Sequence, residues 1–567
     1  MKPAARESEA GAATQPRLRL GEALVAQGLI DEQQLQLALA EQSQVRRPLG
    51  EILIGLGFVR RDAIARHLAS ELGLELVSAR TLQPDPLIVS GVDPDLIREN
   101  GAFPIRFVDG RLQVAMVDPS DPVKVANLRR HFVSELELLM ILEADLHTLL
   151  RKFFPESKGH VAELLAPLRA RDGAIEEDIS IERLTDSIIG DGIRRGATDI
   201  HLHPEEQVTR VRFRLDGVLR QAELLPRSLT AGVISRIKIL SQLDISERRR
   251  PQDGRMRVQL DGRKVDLRVS VLPVSHGESV VLRILDRATG SLTMGELGIS
   301  SRQVHLLEHI AARPNGLFLV TGPTGSGKTT TLYSLLSRVD ALRRNVATIE
   351  DPVEYMLPFV RQSQVDHGIG FDFKAGLRAL MRQDPDVILV GEIRDEETAE
   401  MAVKASMTGH LVFSTLHTNN ALGSIPRLLD LGIASYLVED ALVGALAQRL
   451  VRRNCSACLT EVEATEKELA WLGVERAFLL KGAGCRQCEQ SGYHGRTVIA
   501  ELFLMDAEIA QLVRRESALP QLLEASMRAG FVDMEQDGRQ KVLAGLTTVE
   551  EVQRVHRSTY LSSDERA

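Results

Sequence analysis

The chain has 567 residues, 44% hydrophobic and 26% charged, an ordinary globular composition. At about 150 residues per domain, that length holds roughly three or four domains. A formal net charge of −8, 4% aromatic residues and a single Trp exclude an electrostatic pull toward nucleic acid and a base-stacking platform. No apolar run reaches the roughly eighteen residues of a membrane span.

Residues 1–16 are polar and Ala-rich, lack the apolar stretch of a secretory signal, and read as a disordered tail. The expected location is cytoplasmic, with any membrane contact made through partners. Residues 17–154 read as an N-terminal domain of helical repeat plus α/β structure. Leu20-Gly21-Glu22-x-Leu24-x-x-x-Gly28 returns 29 residues later as Leu49-Gly50-Glu51-x-Leu53-x-x-x-Gly57. Each copy predicts a short helix, a Gly stop and a second helix opening near Asp31 or Asp62. Plain helical-hairpin packing explains these positions as well as a binding role does. Further on, residues 111–117 predict a strand and 118–122 a turn.

Residues 155–178 are polar and charged, and read as a linker. A mixed α/β module follows over 179–290. It predicts a helix at 184–194, strand-like residues 199–203 and 208–214, and a hairpin turn at Asp216-Gly217.

The 291–453 domain carries the strongest motif. Gly322-Pro323-Thr324-Gly325-Ser326-Gly327-Lys328-Thr329, followed by Thr330, fits the phosphate-binding loop G-x-x-x-x-G-K-[ST]. An apolar strand, 317–320, precedes it and a helix, 330–339, follows. Glycines let backbone N–H groups converge on phosphate oxygens, and the helix N-terminus adds its dipole. Lys328 is then expected at the β- and γ-phosphates and Thr329 at Mg²⁺. A second strand, 387–390, ends at Glu392, placed to hold Mg²⁺ or its water. A third, 346–349, ends at Glu350, which either orients the attacking water or caps a turn. His417 and Asn419 follow strand 411–414, where a γ-phosphate sensor sits; a structural His fits the position too.

All 4 cysteines fall in two C-x-x-C pairs, Cys455/Cys458 and Cys485/Cys488, within a module expected over 454–500. Four thiolates so grouped suit one structural, tetrahedral Zn²⁺. Disulfides are disfavoured in a reducing compartment, and no thioredoxin-like context surrounds the pairs. A helical region, 501–567, ends the chain, with a capping box predicted at Thr548-Val549-Glu550-Glu551.

Residues 322–330, 349–354, 382–395 and 408–419 together resemble the four signature boxes of the secretion ATPases. That family powers type II secretion and type IV pilus assembly, and the resemblance covers most of the chain. It implies a RecA-like P-loop NTPase domain with Glu350 as catalytic carboxylate, Glu392 as Walker B acid and His417 as a site histidine. ATP, Mg²⁺ and Zn²⁺ are the cofactors it implies. It also implies a homo-hexamer in which the PAS-like 179–290 module supplies arginines to the γ-phosphate. Arg255, Arg268 and Arg283 match its motifs, and Arg212 and Arg214 match more weakly. The zinc module resembles that of type II secretion and pilus-extension members rather than retraction members. Type II secretion is preferred over pilus extension on the run 446–451. The N-terminal repeat resembles a cyclic di-GMP-binding domain, but Pro48 stands where that motif has Arg, and Glu71 where it has Gln. The same region serves in the family to dock on inner-membrane platform proteins. A RecA-like DNA translocase is the reading from another class, opposed by the lack of basic excess; no nucleic acid partner is expected.

Overall fold

The computed structural model describes residues 19–79, 81–132, 134–154, 161, 164–165, 180–260, 263–285 and 292–556. The predicted tail 1–16 and most of the predicted linker 155–178 lie outside the described residues. The chain divides into two units, Met1–Ser157 and Lys158–Ala567.

In the first unit the repeat forms four helices, Leu20–Ala26, Glu32–Gln44, Leu49–Gly55 and Arg61–Leu72. Gly28 and Gly57 follow the first helix of each copy at φ 68° and 72°, a backbone conformation that glycine adopts without a Cβ penalty. Asp31 caps its helix by accepting the Gln34 N–H at 2.8 Å. In the second copy the helix opens at Arg61, so Asp62 lies inside the first turn. Leu24, Leu35, Ile52, Leu53 and Ile64 close one core between the copies. Strands β1 (Leu76–Val77), β2 (Ala102–Val108), β3 (Arg111–Met116) and β4 (Leu136–Ile141) follow, in the sheet order β1-β4-β3-β2.

The second unit opens with an antiparallel sheet. Its strands are β5 (Asp199–Pro204), β6 (Val208–Leu215), β7 (Val218–Pro226), β8 (Gln252–Leu260), β9 (Arg263–Val274) and β10 (Gly277–Leu285), ordered β7-β6-β5-β10-β9-β8. Val211, Phe213 and Leu215 of β6 point inward and alternate with Arg212 and Arg214, the period of a half-buried strand. Helices Ile181–Arg194 and Arg227–Leu240 bury Leu184, Ile188, Val233 and Ile237 in the same core. Val161 and Leu165, from the stretch predicted as linker, are buried there too. Their apolar side chains interrupt an otherwise polar segment.

The nucleotide domain is built on β11 (Gly316–Thr321), β12 (Val346–Glu350), β13 (Val360–Gln364), β14 (Val387–Val390), β15 (Leu411–Leu416) and β16 (Leu442–Asn454). A small hairpin, β17 (Leu459–Glu463) and β18 (Phe478–Gly482), precedes the last strand, β19 (Tyr493–Leu504). The large sheet runs β13-β12-β14-β15-β11-β16-β19. Every neighbouring pair is parallel except β16 and β19. Strands β11, β14 and β15 are buried throughout, as parallel strands covered on both faces must be. Residues 322–327 leave the carboxyl end of β11, the edge at which such sheets bind ligands. Residues 493–500, predicted within the cysteine module, instead pair with the ATPase sheet: Arg452 lies opposite Arg496, and Gln448 opposite Ala500. The cysteines therefore sit in an excursion at the tip of a sheet hairpin. Among the described residues no helix is long and apolar enough to cross a membrane.

Candidate nucleotide site

Helix Lys328–Leu336 starts two residues earlier than predicted, directly on the loop. Its first N–H groups have no intrahelical acceptors and point at the loop's concave side. Gly322 has φ 144°, and a Cβ there would come within 2.6 Å of Ser326 Oγ and 2.7 Å of the Gln448 carbonyl. The loop is pinned from β16: Gln448 Nε2 donates to Ser326 O at 2.7 Å, and Gln448 Oε1 accepts from Thr331 Oγ1 at 2.8 Å. Lys328 Nζ donates to Gly322 O at 2.8 Å and to Pro323 O at 3.3 Å, over the loop's own carbonyls. Burial holds this ammonium below the usual lysine range, while Glu392 pulls the other way. Thr329 is exposed at the mouth of the loop, and Ser326 Oγ is buried without a hydrogen-bond partner among the described residues. A partly desolvated cation, open backbone donors and an exposed hydroxyl fit a polyphosphate with its Mg²⁺.

Glu392 and His417 come together. His417 Nε2 lies 3.5 Å from Glu392 Oε2, and Arg394 Nη2 lies 2.5 Å from Glu392 Oε1. The carbonyl of Gly391, beside Glu392, accepts from Thr415 Oγ1 at 2.8 Å, which ties the ends of β14 and β15 together. Asn419 turns its carbonyl to Arg449, whose Nη2 donates at 2.9 Å.

Glu350, expected as a catalytic carboxylate or a turn cap, is turned into the protein. It closes β12 at 3% exposure, and both carboxylate oxygens are occupied. Thr348 Oγ1 donates to Oε1 at 2.6 Å, Gln362 Nε2 to the same oxygen at 3.3 Å, and the Tyr333 hydroxyl to Oε2. Burial pushes this carboxyl upward in pKa, against those bonds. A base must reach the proton it takes, and this carboxylate is turned into the protein. The Tyr333 oxygen also accepts the Glu354 N–H at 3.4 Å, so Glu350 acts on Glu354 through Tyr333. Glu354 is half-buried and pairs with Arg268 at 3.8 Å.

The arginines form a row. Arg255 lies opposite Arg268, Arg268 opposite Arg283, Arg283 opposite Asp199, and Asp199 opposite Arg214. Asp199 Oδ1 accepts from Arg283 Nε at 3.0 Å, and its Oδ2 lies 3.4 Å from Arg214 Nε. Arg212, two residues before Arg214 in β6, faces His201 instead. Like charges directly opposite on one sheet face repel. Burial lowers the Arg268 pKa, Arg255 and Arg283 lower it further, and Glu354 opposes them. A cleft of about 550 Å³ is lined by Arg255, Arg268, Arg283, Asp351 and Gln364. Arg394 feels both Asp351 of this cleft and Glu392, the acid that also acts on Lys328.

The four cysteine sulfurs lie within 4.8 Å of one another. The closest pairs are Cys455–Cys485 and Cys458–Cys488 at 3.9 Å and Cys485–Cys488 at 3.7 Å. A tetrahedron of Zn–S bonds near 2.3 Å has edges of about 3.8 Å, so the residues fit the metal. Backbone N–H groups of Gly484 and Gly492 donate to Cys458 and Cys488 at 3.3 Å each, as thiolates require.

Sequence reasoning missed Gln448 and Arg449, which fasten the loop and the Asn419 turn. Their signal was a Gln-Arg pair interrupting an apolar strand where it passes the phosphate loop. It also missed Tyr333, whose partners lie 17 and 21 residues away.

A phosphate loop at the carboxyl end of a parallel sheet, with an acid acting on its lysine and a histidine beside that acid, defines a P-loop nucleoside triphosphatase. Residues 174–554 match the family described as Type II/IV secretion system protein, and residues 72–160 match the MshEN domain. The chain belongs to the Type II/IV secretion system protein family, and family and site together make it an ATP-hydrolysing enzyme. It is 50% identical to Type II secretion system protein E of Pseudomonas aeruginosa over 385 residues, 67% of this chain and 76% of the relative. It is 38% identical to the Type IV pilus assembly ATPase PilB of Myxococcus xanthus over 554 residues, 94% of this chain and 98% of the relative. Type II secretion system protein E of Xanthomonas campestris pv. campestris is 37% identical over 561 residues, 95% of this chain and 99% of the relative. The solved Legionella pneumophila ATPase DotB shares the fold, with a TM-score of 0.50 at 20% identity, over 66% of this chain and 95% of that one.

Proposed function

We propose that this chain is an ATPase motor whose turnover drives pseudopilin assembly in type II secretion, working as a cytoplasmic homo-hexamer on an inner-membrane platform. The arginine row carries this reading. Arg255, Arg268 and Arg283 are stacked in register with one full ion pair, Arg283 to Asp199, and the more distant Glu354 between them. That arrangement costs energy until an anion arrives, and a triphosphate is the anion the neighbouring loop selects. Such arginines are worth roughly 10³–10⁵ in rate where measured in other systems.

In this reading Lys328 and the N–H groups of residues 322–329 hold phosphate, while Thr329 and Glu392 hold Mg²⁺. His417 senses the terminal phosphate beside Glu392. Glu354, half-buried where Glu350 is fully buried, orients water, and Glu350 positions it through Tyr333. Arginines on a separate module suit completion of the site by a neighbouring subunit. Zinc in the cysteine tetrad is structural, because four thiolates leave no open position.

The first unit serves as a docking and regulatory domain. A cavity of about 250 Å³ lined by Gln27, Leu29, Ala63, Arg66, His67 and Ser70 lies between the repeat copies, and its donors suit cyclic di-GMP. The match of residues 72–160 to the MshEN domain supports this ligand, with the repeat lying just before the matched residues.

A type IV pilus extension motor is the second reading, favoured by the match to PilB across 94% of this chain. Phosphate release by the purified full chain tests the enzyme: Lys328→Ala is expected to abolish it, and retained turnover would overturn the site. Gene deletion in the source cell tests the pathway. Lost exoprotein secretion with intact pili supports the first reading, and the converse supports the second.

A further inference from the structure

The loop that carries His417 is held at two points by the β16–β19 hairpin. From β16, Arg449 Nη2 donates to Asn419 O at 2.9 Å and reaches its Oδ1 at 3.5 Å. From β19, Glu501 Oε1 accepts the Ala421 N–H at 2.7 Å. Glu501 Oε2 accepts the Met534 N–H at 3.0 Å, at the first turn of helix Met534–Leu543. Glu501 is fully buried.

Both partners of Glu501 are donors, and that decides the chemistry. A carboxylate accepts both bonds, whereas an amide or a protonated carboxyl turns a donor toward one of them. Keeping a charge at such depth costs several kcal/mol in general. A packing role would need no charge. Burial pushes the Glu501 carboxyl up to about 7, while the two N–H bonds and Arg449 pull it down. The nearby charges are Arg449 and Asp533.

We propose that Glu501 is a positioning residue for hydrolysis, latching the His417 loop to helix Met534–Leu543 so that His417 stays beside Glu392. The proposal rests on His417 being a site histidine. It gives the C-terminal helices a direct mechanical line to the hydrolytic site, since a shift of Met534 pulls on Ala421 through one side chain.

The test uses the full chain with Glu501→Gln, His417→Ala and the double variant. Metal content and melting temperature establish that each is folded, and Glu501→Asp carries the same readouts should the Gln variant not fold. Loss of a transition-state contact is expected to lower kcat about tenfold or more, with KM for ATP within about twofold of wild type. Amide exchange at Ala421 and Met534 should quicken about tenfold or more, with the phosphate-loop amides unchanged. Adding Glu501→Gln to His417→Ala should cost nothing further, because residues acting in series are not additive. Unchanged exchange at Ala421, unchanged kcat, or additive losses would each overturn the latch. His417→Ala with full kcat would sink the site reading and the catalytic half of the latch together. A His417→Ala defect that Glu501→Gln fails to reproduce would sink the latch alone.

Discussion

Arg268 Nη2 lies 3.8 Å from Glu354 Oε2, so the middle module meets the nucleotide domain at an acid that, like Asp351 and unlike Glu350, is partly open to solvent. Glu350, four residues earlier, is bound by Tyr333, Thr348 and Gln362. The two acids should therefore fail differently. Glu354→Gln should bind ATP but lose about 10²–10⁴ in kcat, the usual worth of a positioned base. Glu350→Gln replaces an acceptor of three donors by an amide, and should cost about 1–3 kcal/mol of stability. Its melting temperature should fall further than that of Glu354→Gln. Equal kcat losses with equal melting temperatures would favour the catalytic role for Glu350.

Arg268 is flanked in register by Arg255 and Arg283, which makes it the most repelled member of the row. Removing it relieves two like-charge contacts and gives up one long ion pair. Arg268→Ala should melt at the wild-type temperature or above it, while kcat falls by orders of magnitude. Parallel loss of stability and activity would mark the row as structural. A calorimetric melt beside a turnover assay separates the outcomes.

The sulfur tetrad makes a stoichiometric claim. About one zinc per chain should be found, and Cys485→Ser should lose it. The excursion joins β16 to β19, and β19 is the sheet strand that carries Glu501. Metal loss should therefore loosen the Arg452–Arg496 end of the hairpin first, seen as faster amide exchange there than at Glu501. A stable, metal-free wild-type chain would refute the zinc site.

What could be read from the sequence was contiguous. The phosphate loop, the two C-x-x-C pairs and the Asp216-Gly217 turn (φ 49° and 84°) each lie within a few residues. The chemistry of such a motif is set by local spacing. The burial of Glu350 was not legible because it depends on Tyr333 and Gln362, which lie 17 and 12 residues away. Gln448, Arg449 and Glu501 were missed because strand pairing, not sequence, brings β16 and β19 to the loops after β11 and β15. The module boundary at 500 cut through β19 because its Gly-Tyr start reads as a continuation of the cysteine segment. The predicted capping box at Thr548 formed only in half. Thr548 Oγ1 accepts the Glu551 N–H at 3.4 Å, but the Glu551 carboxylate turns to two arginines.

That diversion has a pH signature. Glu551 is 2% exposed and accepts from the Arg452 N–H at 3.1 Å, Arg452 Nη2 at 2.6 Å and Arg554 Nη2 at 2.8 Å. Burial alone would raise its pKa, but the bonds from Arg554 and Arg452 outweigh burial and bring it from 4.5 to about 2. The folded value lies below the unfolded one, so the stabilisation is complete above pH 4.5 and is lost as pH falls from there toward 2. At 1.36 kcal/mol per unit, the shift is worth about 3 kcal/mol at neutral pH. Glu551→Gln should therefore melt well below wild type at pH 7, with the gap narrowing as pH drops below 4.5. The helix Val549–Val555 packs on β16, so the loss should appear in the transition of the nucleotide domain. A gap that stays constant from pH 7 downward would mean that Glu551 contributes shape rather than charge.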